Sequence, residues 1–208
     1  MGDGVAITAR DITAQKASEE ALRELALVDE LTGVYNRRGF LTAAEREWHR
    51  AARDRHPAML VYIDLNGFKR INDTHGHAEG DRALRTVGDV LGAAFRGADV
   101  VGRLGGDEFA ILVVPPASGG HAAPPQATPA SETVERMIRA RLERQLAASN
   151  AAARAAGRPY DLSLSVGVAH AQPGGADAAG TPASLTTLMV AADERLYAEK
   201  AANRASRT

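Results

Sequence analysis

Asp99-Val100-Val101-Gly102-Arg103-Leu104-Gly105-Gly106-Asp107-Glu108-Phe109-Ala110-Ile111-Leu112-Val113-Val114 sets two glycines and two carboxylates between two apolar, β-rich runs. Short runs of this kind parted by glycine predict an antiparallel hairpin, with strands at 99–104 and 109–114 and the acids at its tip. Glycine accepts backbone angles closed to other residues, and without a Cβ it leaves room for a phosphate to approach the main chain. Asp107 and Glu108 are ionised near neutral pH and offer the hard oxygen ligands that suit Mg²⁺. An ordinary hairpin whose acids only face water carries the same pentapeptide, so other segments have to decide.

Upstream, Leu60-Val61-Tyr62-Ile63-Asp64-Leu65-Asn66-Gly67-Phe68-Lys69 is an apolar strand-like run that ends in an acid and is followed closely by a lysine. An Asp64 carboxylate emerging from a buried strand end suits a second metal ligand beside Asp107. The Leu65 carbonyl adds a neutral oxygen, and Lys69 reaches a phosphate as a point charge. Asp64 as the N-cap of the following segment is the alternative.

Ile71-Asn72-Asp73-Thr74-His75-Gly76-His77-Ala78-Glu79-Gly80-Asp81 is polar, punctuated by glycine, and leads into a helical pattern that runs to Ala94. Asn72 and Asp81 offer edges suited to guanine, whose ring N–H and exocyclic amine both donate to a carboxylate while an amide supplies mixed donors and acceptors. His75 and His77 invite a metal reading, yet a His-x-His pair with no cysteine nearby reads more simply as structural.

Together these segments resemble the GGDEF-domain family of diguanylate cyclases, from Asp29 to about Arg204. Asp29-Glu30-Leu31-Thr32-Gly33-Val34-Tyr35-Asn36-Arg37-Arg38 is similar to the family's D-x-L-T-G-x-x-N-R-R opening, and Asp64 through Asp81 to its D-[IL]-[DN]-x-F-K-x-x-N-D-x-x-G-H-x-x-G-D block. Ser165-Val166-Gly167-Val168-Ala169 resembles its S-x-G-x-A strand. Ala192-Asp193-Glu194-Arg195-Leu196-Tyr197-Ala198-Glu199-Lys200 resembles its A-D-x-x-L-Y-x-A-K helix. The chain has only three lysines, Lys16, Lys69 and Lys200, and two of them fall at motif positions, which suggests that a compact ammonium is wanted there.

The resemblance implies roles residue by residue. Asp64 and Asp107 would bind Mg²⁺, with Mn²⁺ as a substitute, helped by the Leu65 carbonyl and Glu108. Glu108 would also assist deprotonation of the attacking 3′-hydroxyl, and Lys69 would join Asp107 and Glu108 in catalysis. Gly105, Gly106, Lys69, Lys200 and Arg204 would hold the triphosphate, Asn72 and Asp81 would read guanine, and Phe68 and His77 would complete the GTP site. Asp81 argues for GTP, because a serine there marks family variants that accept adenine nucleotides. Two departures stand out: Asn66 replaces the second acid of the metal-strand block, and Ala201-Ala202-Asn203-Arg204-Ala205 replaces the usual x-x-G-R-N, keeping only the arginine.

The implied reaction is attack of one GTP's 3′-hydroxyl on the α-phosphate of another, with pyrophosphate leaving. Each domain carries one GTP, so closing cyclic di-GMP implies a homodimer. Arg96-Gly97-Ala98-Asp99, separated from Gly105 by five residues, resembles the family's inhibitory product site, with Arg96 gripping cyclic di-GMP and Asp99 accepting from its base. The alternatives are a catalytically silent module that serves as a GTP or cyclic di-GMP receptor, and a plain dimerisation domain.

The 208 residues suit one catalytic domain at 29–208 plus a short extension. A net charge of −1 disfavours a nucleic-acid surface, and the absence of cysteine excludes a disulfide scaffold. No apolar run reaches bilayer length and no signal peptide is visible, so the expected location is cytoplasmic. Residues 1–28 resemble the last strand and exit helix of a PAS sensor, with Leu22, Leu25 and Val28 beginning a coiled coil, so an upstream sensor is expected. Residues 115–130 are rich in Pro, Ala and Gly and read as a flexible insert.

Periodicity predicts helices at 14–28, 38–54, 79–94, 131–156 and 184–202, and strands at 59–64, 99–104, 109–114 and 161–171. That order predicts an α+β fold of the ferredoxin-like type, a central antiparallel sheet flanked by helices, and the family resemblance implies a fold related to nucleotidyl cyclase and polymerase palm domains. Phe40, Trp48 and Phe95 are expected as core residues on helices.

Overall fold

Seven of the eight residues of β1 (Ala58–Leu65) are buried, so this strand is covered on both faces. Side chains alternate across a strand, and each face builds its own core. Met59, Val61, Ile63 and Leu65 pack with Leu84, Val87 and Leu91 of α3 (His77–Ala94) and Leu142 of α4 (Pro129–Ala155). Ala58 and Leu60 pack the other way, against Phe40 and Trp48 of α1 (Arg37–Asp54) and Leu188 and Ala192 of α5 (Leu185–Ala205).

The computed structural model describes residues 27–95, 97–114, 129–175 and 183–205. Its remaining elements are α2 (Phe68–His75), β2 (Val100–Gly105), β3 (Glu108–Val113) and β4 (Leu164–Ala171). The sheet runs β2-β3-β1-β4 with every pairing antiparallel. Chain order β1-helices-β2-β3-helix-β4 over that strand order is the split βαβ arrangement of ferredoxin-like folds, the α+β architecture that the sequence predicts.

Two glycines set how closely the second helical layer lies on the sheet. A Cβ on Gly102 would stand 2.5 Å from the Cβ of Phe40, and one on Gly167 would stand 2.2 Å from the Ala192 carbonyl oxygen. Neither position admits a larger residue unless α1 or α5 moves away. At the start of α1 the Asn36 side chain accepts from the Gly39 N–H at 2.9 Å, which satisfies an otherwise orphaned helix donor.

Several expectations need correction. The segment after β1 forms a two-turn helix, α2, which the polar and glycine-rich sequence conceals because only Ile71 buries a side chain. Asp64 is not its cap, since Gly67 holds that position with φ +73°. The strand expected from residue 161 begins at Leu164, because the Asn150 amide stands in for a strand partner by bonding both the N–H and the carbonyl of Leu162, at 2.9 and 2.8 Å. Phe95 is buried but lies just past α3 in extended backbone. Pro129 and Ala130, expected in the insert, already belong to α4, and the rest of the insert lies outside the described residues. Residues 1–26, and with them most of the proposed sensor remnant, also lie outside. Val28 is not helical: it bridges to Tyr35, and the Leu27 carbonyl accepts from Asn36 N–H at 3.0 Å, so both already belong to the domain.

Candidate active site

The β2–β3 hairpin closes through the pair Gly105 and Glu108, which leaves Gly106 and Asp107 as a two-residue turn. Gly106 has φ +52°, in the left-handed region where glycine costs least. The two acids thus sit at the hairpin tip, where the sequence puts them.

Register carries the tip to the end of β1. Asp64 stands directly opposite Glu108, and the Leu65 N–H donates to the Asp107 carbonyl at 3.2 Å. Asp64 shares its strand face with Ala58 and Leu60, the side covered by α5, and Lys200 of α5 meets it: Nζ lies 2.6 Å from Asp64 Oδ2. Asp64 is only 8% exposed, so this ammonium compensates a carboxylate removed from water.

The acids crowd one another. Burial pushes the Asp107 carboxyl above its usual range, and the Asp64 charge adds to the push against the pull of Lys200 and Arg103. Burial likewise raises Glu108. Lys200 opposes that rise, while Asp64, Asp107 and Asp193 reinforce it. Three carboxylates therefore share one ammonium, an arrangement that a divalent cation would relieve. The donor set of Asp64, Asp107 and the Leu65 carbonyl is all oxygen and fits Mg²⁺ or Mn²⁺, with Glu108 adjacent. Among the described residues no group of three or more acidic or imidazole side chains is preassembled as a metal cage.

Arg103 was given no role by sequence reasoning, yet it holds the turn. Its guanidinium donates to the Gly106 carbonyl from Nε at 2.9 Å and Nη2 at 2.7 Å, and Nη1 pairs with Asp29 at 3.2 Å. Asp29 Oδ1 in turn accepts from the Thr32 N–H and hydroxyl at 3.0 and 2.7 Å. Burial would raise the Asp29 carboxyl, but the Thr32 bonds and the Arg103 charge outweigh it and hold the group below its usual range. The signals available in sequence were the Asp-x-x-Thr spacing and an arginine two residues before Gly105.

The nucleotide candidates lie on the two helices that follow β1. Asn72 lies on α2, and Asp81 and His77 on α3. The Asn72 carboxamide lies against Gly80, where a Cβ would fall 1.9 Å from Oδ1 and 3.2 Å from the Phe68 ring. Phe68 is half-buried, and Lys69, His77 and Asp81 are exposed. His75 stacks on Tyr160 with ring centroids 5.0 Å apart, the structural alternative to a metal ligand. Arg204 lies in the last turn of α5. Of the pair expected to form an inhibitory site, Arg96 lies outside the described residues and Asp99 is half-buried just before β2.

A family model described as "Diguanylate cyclase, GGDEF domain" matches residues 26–206. The Escherichia coli K12 protein named "Probable diguanylate cyclase DgcC" is 40% identical over 129 residues, covering 61% of this chain and 32% of the relative. The chain thus spans about a third of that protein's length. The coiled coil and GGDEF domain of Caulobacter crescentus DgcB in complex with c-di-GMP superposes with TM-score 0.65 at 24% identity, covering 92% of this chain and 89% of that one, a likeness of fold. The GGDEF domain of the same protein with c-di-GMP gives TM-score 0.65 at 26% identity, over 85% and 91%. With its hairpin, its strand-end acid and nearly its whole length matched to one family model, the chain belongs to the diguanylate cyclase GGDEF-domain family.

Proposed function

We propose that this chain condenses two GTP molecules into cyclic di-GMP with release of two pyrophosphates, in a Mg²⁺-dependent reaction at a homodimer interface. One observation carries the reading: Asp64, Asp107 and Glu108 meet at the hairpin tip with Lys200 against them, and none of the acids the family chemistry needs is missing. A silent receptor module has no need of an intact acid cluster.

Asp64, Asp107 and the Leu65 carbonyl would hold the metal, which when bound supplies electrostatic stabilisation of the charge developing on the phosphate oxygens. The chain's own groups orient the substrate. Gly105 and Gly106 let phosphate approach the backbone, and Lys69, Lys200 and Arg204 neutralise it. Asn72 and Asp81 read the guanine edge, with Phe68 and His77 beside them. Glu108, its carboxyl raised by burial and by its neighbours, accepts the 3′-hydroxyl proton more readily than an ordinary glutamate. In-line attack then proceeds with catalysis residing in positioning and electrostatics.

Closure of the cyclic product requires a second protomer with its own GTP. Cyclic di-GMP would inhibit through Arg96 and Asp99, and a sensor upstream of residue 29 would align the two domains. A cytoplasmic setting, where GTP is available, completes the reading. No helix among the described residues is long and apolar enough to cross a membrane.

Titrating the purified chain with GTP and Mg²⁺ while following pyrophosphate tests the proposal. Release of two pyrophosphates per cyclic di-GMP, with specific activity rising with protein concentration, is the expected result. GTP binding without release would identify a receptor, and neither would leave a dimerisation domain.

A further inference from the structure

Among the described side chains, the C-terminal turns of α5 have no apolar anchor past Leu196. Leu185, Leu188, Ala192 and Leu196 bury the helix against the sheet, but beyond Leu196 residues 197, 198 and 201–203 are exposed. Among the described side chains there, Glu199 and Lys200 are half-buried and make polar contacts to the sheet, and Asn203 Nδ2 donates to Ser165 Oγ at 3.5 Å. A helix end without packing frays unless something else holds it.

Glu199 supplies the hold. Its Oε1 accepts from the Val166 N–H at 2.8 Å, and its Oε2 pairs with Arg139 Nη1 of α4 at 3.0 Å. Arg139 Nη2 donates back to the Val166 carbonyl at 3.0 Å, and its Nε pairs with Glu135 at 3.0 Å. β4 is an edge strand, and its Val166 backbone is gripped from both helical layers by this one ion pair. Ser165, the next residue of β4, is the cross-strand neighbour of Asp64. The grip therefore lies one residue from the strand position that faces the acid cluster. Glu199 stands where the family pattern A-D-x-x-L-Y-x-A-K has alanine, so the clamp is a feature of this chain rather than of the motif.

We propose that Glu199 is a positioning residue: its clamp with Arg139 on Val166 fixes the last turns of α5 and so holds the Lys200 ammonium at Asp64, where the nucleotide phosphates bind. This rests on the nucleotide reading of the site given above. Glu199 and Lys200 are consecutive, about 100° apart around the helix, so one grips the sheet edge while the other turns to the sheet face. Without the clamp, the Asp64–Lys200 pair and the long Asn203–Ser165 contact would have to order the helix end.

The test is a double-mutant cycle on the full chain, with affinity for a GTP analogue that cannot be turned over as the first readout and pyrophosphate release from GTP as the second. E199A is expected to weaken analogue binding about tenfold, and K200A by at least as much. E199A added to K200A should cost less than about twofold, because residues acting through a common partner are not additive. E199Q keeps an acceptor for the Val166 N–H but turns an amide donor toward Arg139, so its loss of affinity should fall between the parent chain and E199A. Unchanged affinity in E199A, or the same loss in the K200A background as in the parent, overturns the proposal. R139Q breaks the clamp from α4 and is judged by the same outcomes if thermal melting shows E199A to be unfolded. A parent chain that binds the analogue but releases no pyrophosphate defeats the cyclase reading and leaves the cycle readable, whereas one that binds no nucleotide defeats both.

Discussion

Asp64 on β1 and Glu108 on β3 stand directly opposite each other in antiparallel register, although 43 residues separate them in the chain, and Lys200 of α5 reaches Asp64 from the covering helix. Two like charges in cross-strand register are destabilising. The fold tolerates the arrangement because an ammonium lies against it, and the family's chemistry gives a reason to keep it.

Asp107→Ala removes a proposed metal ligand and a member of the crowded cluster. Turnover should fall by about 10²-fold or more, the scale of losing one electrostatic element of a preorganised site. Thermal melting should be unchanged or shifted slightly upward, because burial and Asp64 already disfavour the charged carboxylate. A large drop in melting temperature would show that Asp107 is structural.

The pH dependence has two signs. Asp107 and Glu108 have folded-state values above 3.8 and 4.5, so the native state binds protons more tightly than the unfolded chain, and these groups cost stability as pH rises through that window. The D107N/E108Q variant should therefore be more stable than the parent at neutral pH, with the difference fading as pH falls into the carboxylate range. Asp29 and Glu135 are held below 3.8 and 4.5 and behave oppositely: their contribution is present above those values and is lost as pH falls through the lowered ones. Urea midpoints measured across pH separate the two effects.

Arg103→Lys keeps the charge but loses the planar fork that bonds Gly106 and Asp29 together. Hydrogen bonds to charged groups contribute about 1.5–3 kcal/mol, and part of that should be lost because the pair is partly exposed to solvent. Turnover should fall more than stability does, since the carbonyl that Arg103 holds belongs to the turn carrying Asp107. Equilibrium denaturation beside pyrophosphate release checks the ordering.

Gly80→Ala places a methyl on the Asn72 carboxamide, which must swing away. A flexible side chain moves cheaply, and alanine gains about 0.8–1 kcal/mol of helix propensity over glycine, so melting should change little. Affinity for GTP should nevertheless fall, with KM rising more than kcat drops, if Asn72 reads guanine. Equal KM for GTP in the variant and the parent would remove Asn72 from the nucleotide site.

Local chemistry made much of this protein legible. Short apolar, β-rich runs marked β1, β2 and β3, and paired glycines marked the turn. Asp64, Asp107 and Glu108 were visible because a charged residue at the end of an apolar strand is conspicuous. The helix α2 was not visible, because a short helix that buries one side chain has almost no periodicity to show. The late start of β4 was hidden for a different reason: Asn150 takes a strand partner's place twelve residues before Leu162, and no local pattern records that exchange.

The linear chain therefore specified the strands, the turn chemistry and the identity of the acids, since these depend on residues close together in sequence. Which charges neutralise one another was decided by folding alone. Arg103 meets Asp29 across 74 positions, Arg139 meets Glu199 across 60, and Lys200 reaches Asp64 only once α5 has closed over the sheet at Gly167. Such pairings arise from strand register and helix packing, and both are set by burial of two apolar cores rather than by the charges themselves.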